Sequence, residues 1–210
     1  MTALAASDFW WKPNPFEIPY PSVRVIIDTE TQPLRAREAI PCAMKIKTLH
    51  EVLVHELQDL YSAENQLTKA LPKMAKAASH AELSEAFQEH LEQTKGHVER
   101  LQKALTQLEA STRGEKCKAM EGLIEEGKGT LELDAAEEVR DALIIGIAQK
   151  VEHYEIAGYG TARTFAKLLG EDKVASLLED TLEEEAEADQ KLTKIAESVV
   201  NRDAQLAADK

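Results

Sequence analysis

From Met44 onward the apolar residues recur at spacings of three and four, the period of an amphipathic helix and not the alternation of a strand. The pattern predicts four helices, at about 48–77, 81–110, 135–169 and 173–200, each longer than the average globular helix, a length that suits a bundle. Ser79 is placed to cap the second and Asp134 the third, while Gly170 ends the third before Glu171 and Asp172 open the fourth. Pro72 lacks a backbone donor and crowds the preceding turn, so a kink or break is expected near the end of the first helix.

Helices two and three are joined by residues 111–134, which contain CKAMEGLIEEGKG and are long enough to run the length of a bundle with a short helix of their own. The expected fold is therefore all-α: a ferritin-like up-down four-helix bundle over 44–200 with one long crossover containing a short helix, preceded by an irregular N-terminal extension. Residues 1–43 differ in kind, holding both tryptophans, most of the prolines and a short β-like run at 23–27. They read either as upstream sequence translated from a start assigned too early, since MKIKTLHEVL at Met44 is itself a complete beginning, or as an arm that docks through Phe9, Trp10, Trp11 and Phe16. Residues 201–210 read as a C-terminal tail.

The apolar stripes are interrupted by ionisable residues near mid-helix. On the first helix Glu64 falls among Leu53, Leu57, Leu60, Leu67 and Leu71, with Glu56 on the shoulder of the stripe. The second carries His90, Thr94 and His97 between Phe87 and Leu101, the two histidines projecting from one side two turns apart. The third carries Glu155 on its inward face and Glu152 at the edge, flanked by Tyr154 and Tyr159; on the fourth, Glu185 and Asp189 break the stripe. The rest of the run at 183–187 reads as a solvated acidic face. A buried carboxylate is costly unless protonated, paired or bound to a cation. Any one of these residues alone is ordinary. Together Glu64, His97, Glu155 and Glu185 place three anions and an imidazole at one level of a dry core, and this conjunction points to a pair of metal ions.

Composition narrows the classes. A net charge of −13 over 210 residues argues against non-specific binding to nucleic acid or anionic membrane surfaces. Cys42 and Cys117 form neither a disulfide framework nor a finger spacing, and no signal peptide or membrane span is legible, so a cytoplasmic location is expected. GYGT at 158–161 lies inside a helical pattern, without the strand and lysine of a phosphate loop.

Several long stretches, HELQDLYSAENQLTKALPKM, HLEQTKGHVERL, CKAMEGLIEEG, QKVEHYEIAGYGTARTFAKLLG and LEEEAEADQKL, resemble in order the ferritin-like bacterial stress proteins of the YciF type. The resemblance runs from about residue 44 to 196 and implies a rubrerythrin-like bundle, a homodimer and a two-metal centre linked to stress conditions. The usual ferritin-like pattern takes a Glu from each of two helices and Glu-x-x-His from the other two. This chain has Thr94 three residues before His97 and Ala188 three after Glu185, with His90 and Asp189 as the natural substitutes.

Oxygen and imidazole donors without thiolates suit iron or manganese. In that reading Glu64, Glu155 and Glu185 supply oxygen ligands, some bridging, and His90 and His97 supply nitrogen. Asp189 is a terminal carboxylate or an outer partner; Glu56 and Glu152 complete the candidate set, and Tyr154 or Tyr159 donates a hydrogen bond to peroxide, carries an electron or simply packs. The protein would act on peroxide or dioxygen, or sequester iron. Two other readings stand beside it: a non-catalytic bundle whose polar core pairs internally and which works through a protein partner, and a storage shell, for which no cage-forming surface is visible in the sequence.

Overall fold

The computed structural model describes residues 46–207, so both readings of residues 1–43 fall outside it. Its helices are α1 (Leu49–Ala77), α2 (Ala81–Gln107), α3 (Lys118–Leu131) in the crossover, α4 (Glu137–Leu169), α5 (Asp172–Ile195) and, after a π turn at Ala196–Val200, α6 (Asn201–Ala207). The bundle is a square in which α1 packs on α2 and α4, and α5 packs on the same two helices, while α3 lies across α1 and α4.

Among the described residues two separate apolar clusters fill the core. One joins Leu67 and Leu71 of α1, Leu83 and Phe87 of α2, Ile144 and Ala148 of α4 and Leu192 and Ile195 of α5. The other joins Leu53, Leu57 and Leu60 of α1, Leu101 and Leu105 of α2, Tyr159 and Ala162 of α4 and Val174 and Leu178 of α5. These pairings run α1 antiparallel to α2 and α4, as an up-down bundle with a returning crossover requires. On each long helix the switch from one cluster to the other falls where the stripe was interrupted, so a polar layer is held between two hydrophobic plugs.

The crossover is strapped to α1 by three residues spaced one turn apart. Gln58 Nε2 donates to Ser111 O at 2.8 Å, Cys117 N donates to Ser62 Oγ at 2.9 Å, and Gln66 Nε2 donates to Cys117 O at 3.1 Å. Gly114 permits the approach, since a Cβ there would sit 2.7 Å from Gln58 Cβ.

Helix ends depart from expectation where the deciding group is distant. Thr48 and Glu51 form a capping box at the start of α1. The N-cap of α2 is His80 and not Ser79, and its cap comes from another helix: Asp141 of α4, 2% exposed, accepts from Ser79 N (2.9 Å), Ser79 Oγ (2.7 Å) and His80 N (2.8 Å). Ala136, not Asp134, precedes α4. Gly170 ends α4 in the left-handed region at φ 75°, and Glu171 N returns to Ala166 O at 2.9 Å. The same motif ends α2 three residues earlier than its pattern suggests, with Glu109 at φ 54° and Ala110 N donating to Leu105 O at 2.9 Å; no glycine advertises it. Pro72 does not break α1. It is exposed, so the carbonyl of Thr68 that loses its donor lies on the outer side. The π turn shifts the inward phase at the end of the bundle, burying Ala196 and Val200 while Val199 is half-buried.

Candidate metal centre

Six side chains converge on the polar layer as two groups that share one member. Glu64 (α1), His97 (α2) and Glu185 (α5) form one; His90 (α2), Glu152 and Glu155 (α4) and Glu185 form the other. Within each, one ligand-type atom per residue lies within 4.8 Å of all the rest. All six residues are buried, none more than 6% exposed. The carboxyl of Glu185 faces both histidines, Oε1 lying 3.0 Å from His97 Nδ1 and Oε2 3.6 Å from His90 Nε2. His97 Nδ1 is also 3.4 Å from Glu64 Oε1, and His90 Nε2 is 3.5 Å from Glu152 Oε2.

Each imidazole is held from its far side. His97 Nε2 lies 2.8 Å from Glu184 Oε2, and Glu184 is gripped by Arg100 through Nη1 to Oε2 at 2.8 Å and Nη2 to Oε1 at 2.6 Å. With a carboxylate as acceptor Nε2 keeps its proton, so Nδ1 is the nitrogen that would turn a lone pair to a metal ion once its own proton is displaced. His90 Nδ1 lies 3.2 Å from Gln93 Oε1, which leaves its Nε2 inward. Tyr159, fully buried, donates to Glu64 Oε1 at 2.5 Å. Thr94, where a ligand glutamate would stand in the usual pattern, turns its hydroxyl to His90 O at 2.8 Å.

Not every candidate reaches the layer. Asp189 Oδ1 accepts from Gln149 Nε2 at 3.0 Å and lies 3.4 Å from the exposed His153, outside both groups. Glu56 is half-buried two turns before Glu64 and belongs to neither group. Tyr154 faces the crossover, donating to Asp59 and lying 3.0 Å from Cys117 Sγ. Conversely, Glu184 is not simply part of a solvated face, and Arg100 carried no signal of its own. The legible clue was spacing, since Arg100 follows His97 by one turn and Glu184 adjoins Glu185.

The electrostatics are those of a core short of cations. Burial, followed by the nearby carboxylates, holds Glu152 and Glu155 well above the usual carboxylate range, and burial raises Glu64 as well. Burial opposes a charge on His97, but the flanking carboxylates of Glu185 and Glu64 prevail and raise it to about 10. Burial likewise opposes ionisation of Glu185, yet the adjacent His97 keeps it low. Glu184 is lowered by its hydrogen bonds from Arg100. Eight inward atoms have no hydrogen-bond partner among the described residues: Glu64 Oε2, His90 Nε2, His97 Nδ1, Glu152 Oε2 and both oxygens of Glu155 and of Glu185. Native interiors leave few such atoms, and a convergent set of carboxylate oxygens and imidazole lone pairs fits divalent cations.

A cavity of about 110 Å³ between α2 and α5 borders the centre, with His90 and Glu152 of the ligand groups and Gln93 in its lining. Glu89, Glu187 and Lys191 line it too, and an ion pair joins Lys191 to Glu89.

A helical bundle with a carboxylate–histidine layer defines a class, and comparison with known proteins gives it a family. The family described as Domain of unknown function (DUF892) matches residues 48–205, and the chain belongs to it. Among its relatives, the protein YciF of Escherichia coli K12 is 50% identical over 163 residues, 77% of this chain and 98% of its own. The crystal structure of that E. coli stress protein superposes with a TM-score of 0.72 at 51% identity, covering 74% of this chain and 99% of the other. YcfI of Rhodopseudomonas palustris follows at TM-score 0.70 and 42% identity (73% and 98%), and a Xanthomonas campestris protein at 0.61 and 25% (77% and 99%). No helix among the described residues is long and apolar enough to cross a membrane.

Proposed function

We propose that this chain is a cytoplasmic, stress-related protein, homodimeric like the ferritin-like proteins it resembles, whose core holds two iron or manganese ions and reduces peroxide or dioxygen. The observation that carries this reading is the position of Glu185, the one residue common to both ligand groups, with an oxygen turned toward each histidine. A carboxylate so placed can bridge two ions, and the donor set of oxygens and imidazoles favours iron or manganese; Cys117 belongs to neither group. When bound in the divalent state, such a pair would supply one electron per ion, each ion becoming trivalent, and with two protons this converts hydrogen peroxide to two waters.

The chain's own residues do the remainder. Glu64 and His97 would hold one ion and His90, Glu152 and Glu155 the other. Glu184 with Arg100, and Gln93, fix the imidazole tautomers, and Tyr159 orients Glu64. The apolar plugs keep bulk water from both ends of the layer, while the cavity between α2 and α5 admits small solutes. The stress role rests on the 50% identity to YciF, described as a stress protein.

Elemental analysis of protein purified without chelator tests the reading: about two ions per chain in the parent, near zero in Glu185→Ala and about one in Glu64→Ala. Peroxide consumption should follow metal content. Protein that takes up no iron or manganese even after anaerobic loading would refute it. The alternative would then be a core in which His97 simply pairs with Glu64 and Glu185, and the bundle would act through a protein partner.

A further inference from the structure

On another face of the bundle, a cleft of about 330 Å³ lies between α1, the crossover helix α3 and α4, within the size range of small-molecule sites. None of its lining residues belongs to the metal-ligand groups. Its wall is apolar, built from Leu67, Met74, Leu123, Ile124, Ile147 and Val151. Gly127 brings α3 close to α4 at its base, where an added Cβ would lie 3.2 Å from Ile147 Cγ2.

The rim has the opposite sign to the rest of the protein. In a chain of net charge −13, four lysines border this cleft: Lys69 and Lys73 one turn apart on α1, Lys128 on α3, and Lys116 just before α3. Lys116 is paired with Glu121, but Lys69, Lys73 and Lys128 form no ion pair among the described residues. Lysine stems extend an apolar wall while their ammonium groups stay in water, so the rim can meet a negative group without being buried. An apolar slot bordered by three unpaired cations is complementary to one kind of molecule, with an alkyl body for the wall and an anionic head for the rim.

We propose that this cleft binds an amphipathic anion, a free medium-chain alkyl carboxylate, with its chain against Ile124, Ile147 and Val151 and its carboxylate among Lys69, Lys73 and Lys128. A neutral alkyl compound gains nothing from the rim, and a cationic one is repelled by it. The attraction is a surface effect and weakens with salt.

The test is calorimetric titration of the full chain with decanoate at low salt, alongside decyltrimethylammonium and hexanoate. Decanoate should bind once per chain with a Kd on the order of 50 µM. Hexanoate should bind at least about tenfold more weakly, and decyltrimethylammonium should not bind detectably. The variant Lys69→Glu/Lys73→Glu, checked for unchanged melting, should weaken decanoate at least about tenfold. Ala70→Phe, which fills the slot without touching the charges, should do the same. No binding of decanoate at about 1 mM would overturn the proposal. So would equal affinity for the cationic analogue, or unchanged affinity in the charge-reversed chain. A dimer that excludes decanoate and dissociates on the same charge reversal would overturn it in favour of a second copy as the occupant.

Discussion

Glu184 accepts a hydrogen bond from His97 Nε2 at 2.8 Å, and this one contact decides which face of a fully buried imidazole looks into the core. The carboxylate is itself fixed by two hydrogen bonds from Arg100, so a half-buried arginine is linked through two intermediates to the interior of the polar layer. Glu184→Gln or Arg100→Ala should therefore weaken metal affinity by roughly 10–100-fold while leaving the saturated stoichiometry unchanged. Competition with a chelator measures the affinity. Unchanged affinity in both variants would mean that packing alone orients His97.

The metal-free protein should be more stable in mild acid than in base. His97 (raised to about 10), Glu152 and Glu155 all bind protons more tightly folded than unfolded, so their contribution is complete below their unfolded pKa values. It is lost as pH rises, for His97 between about 6.5 and about 10. Glu184 and Glu185 are lowered, so their contribution is present above the ordinary carboxylate range and is lost as pH falls below it. Melting of chelator-treated protein should fall by roughly 5 °C between about pH 6 and pH 9, and Glu155→Gln should reduce that slope. A melting temperature that climbs with pH would contradict the assignment of protons to the core.

Asp141 works from α4 to hold the start of α2, accepting two backbone amides and a hydroxyl while almost fully buried. Asp141→Ala leaves those donors without their partner and should destabilise the fold by about 1–3 kcal/mol, with Asp141→Asn recovering part of the loss. Metal content should not change, because Asp141 lies outside both ligand groups. Denaturant unfolding and elemental analysis separate the two effects.

Lys191 sits where the cavity between α2 and α5 opens, paired with Glu89 and near Glu187. A cation approaching His90 by this route meets its charge, so Lys191→Glu should speed manganese uptake by roughly 3–10-fold at low salt and far less at high salt. Final occupancy should stay the same. Loss of the free manganese resonance after mixing follows the rate, and indifference to the substitution would place the route elsewhere.

The helical period was enough to assign the faces of the four long helices and to show that a polar residue interrupts each stripe near its middle, because burial of a face is recorded every three to four residues. It also located Gly170, whose left-handed backbone favours glycine, but not the same turn at Glu109, where a non-glycine residue adopts it. Periodicity does not decide the fate of residues on the shoulder of a stripe. Of the two stripe-edge residues Glu152 faces the layer and Glu56 does not, and Asp189, expected to break its stripe as Glu185 does, stays outside both groups, because the neighbouring helix's spacing and axial register select which side chains are enclosed. Asp141 capping α2 and Arg100 holding Glu184 are likewise contacts between helices far apart in the chain. Local sequence determined which side chains could be inward; only the packing of four helices against one another decided which of them meet.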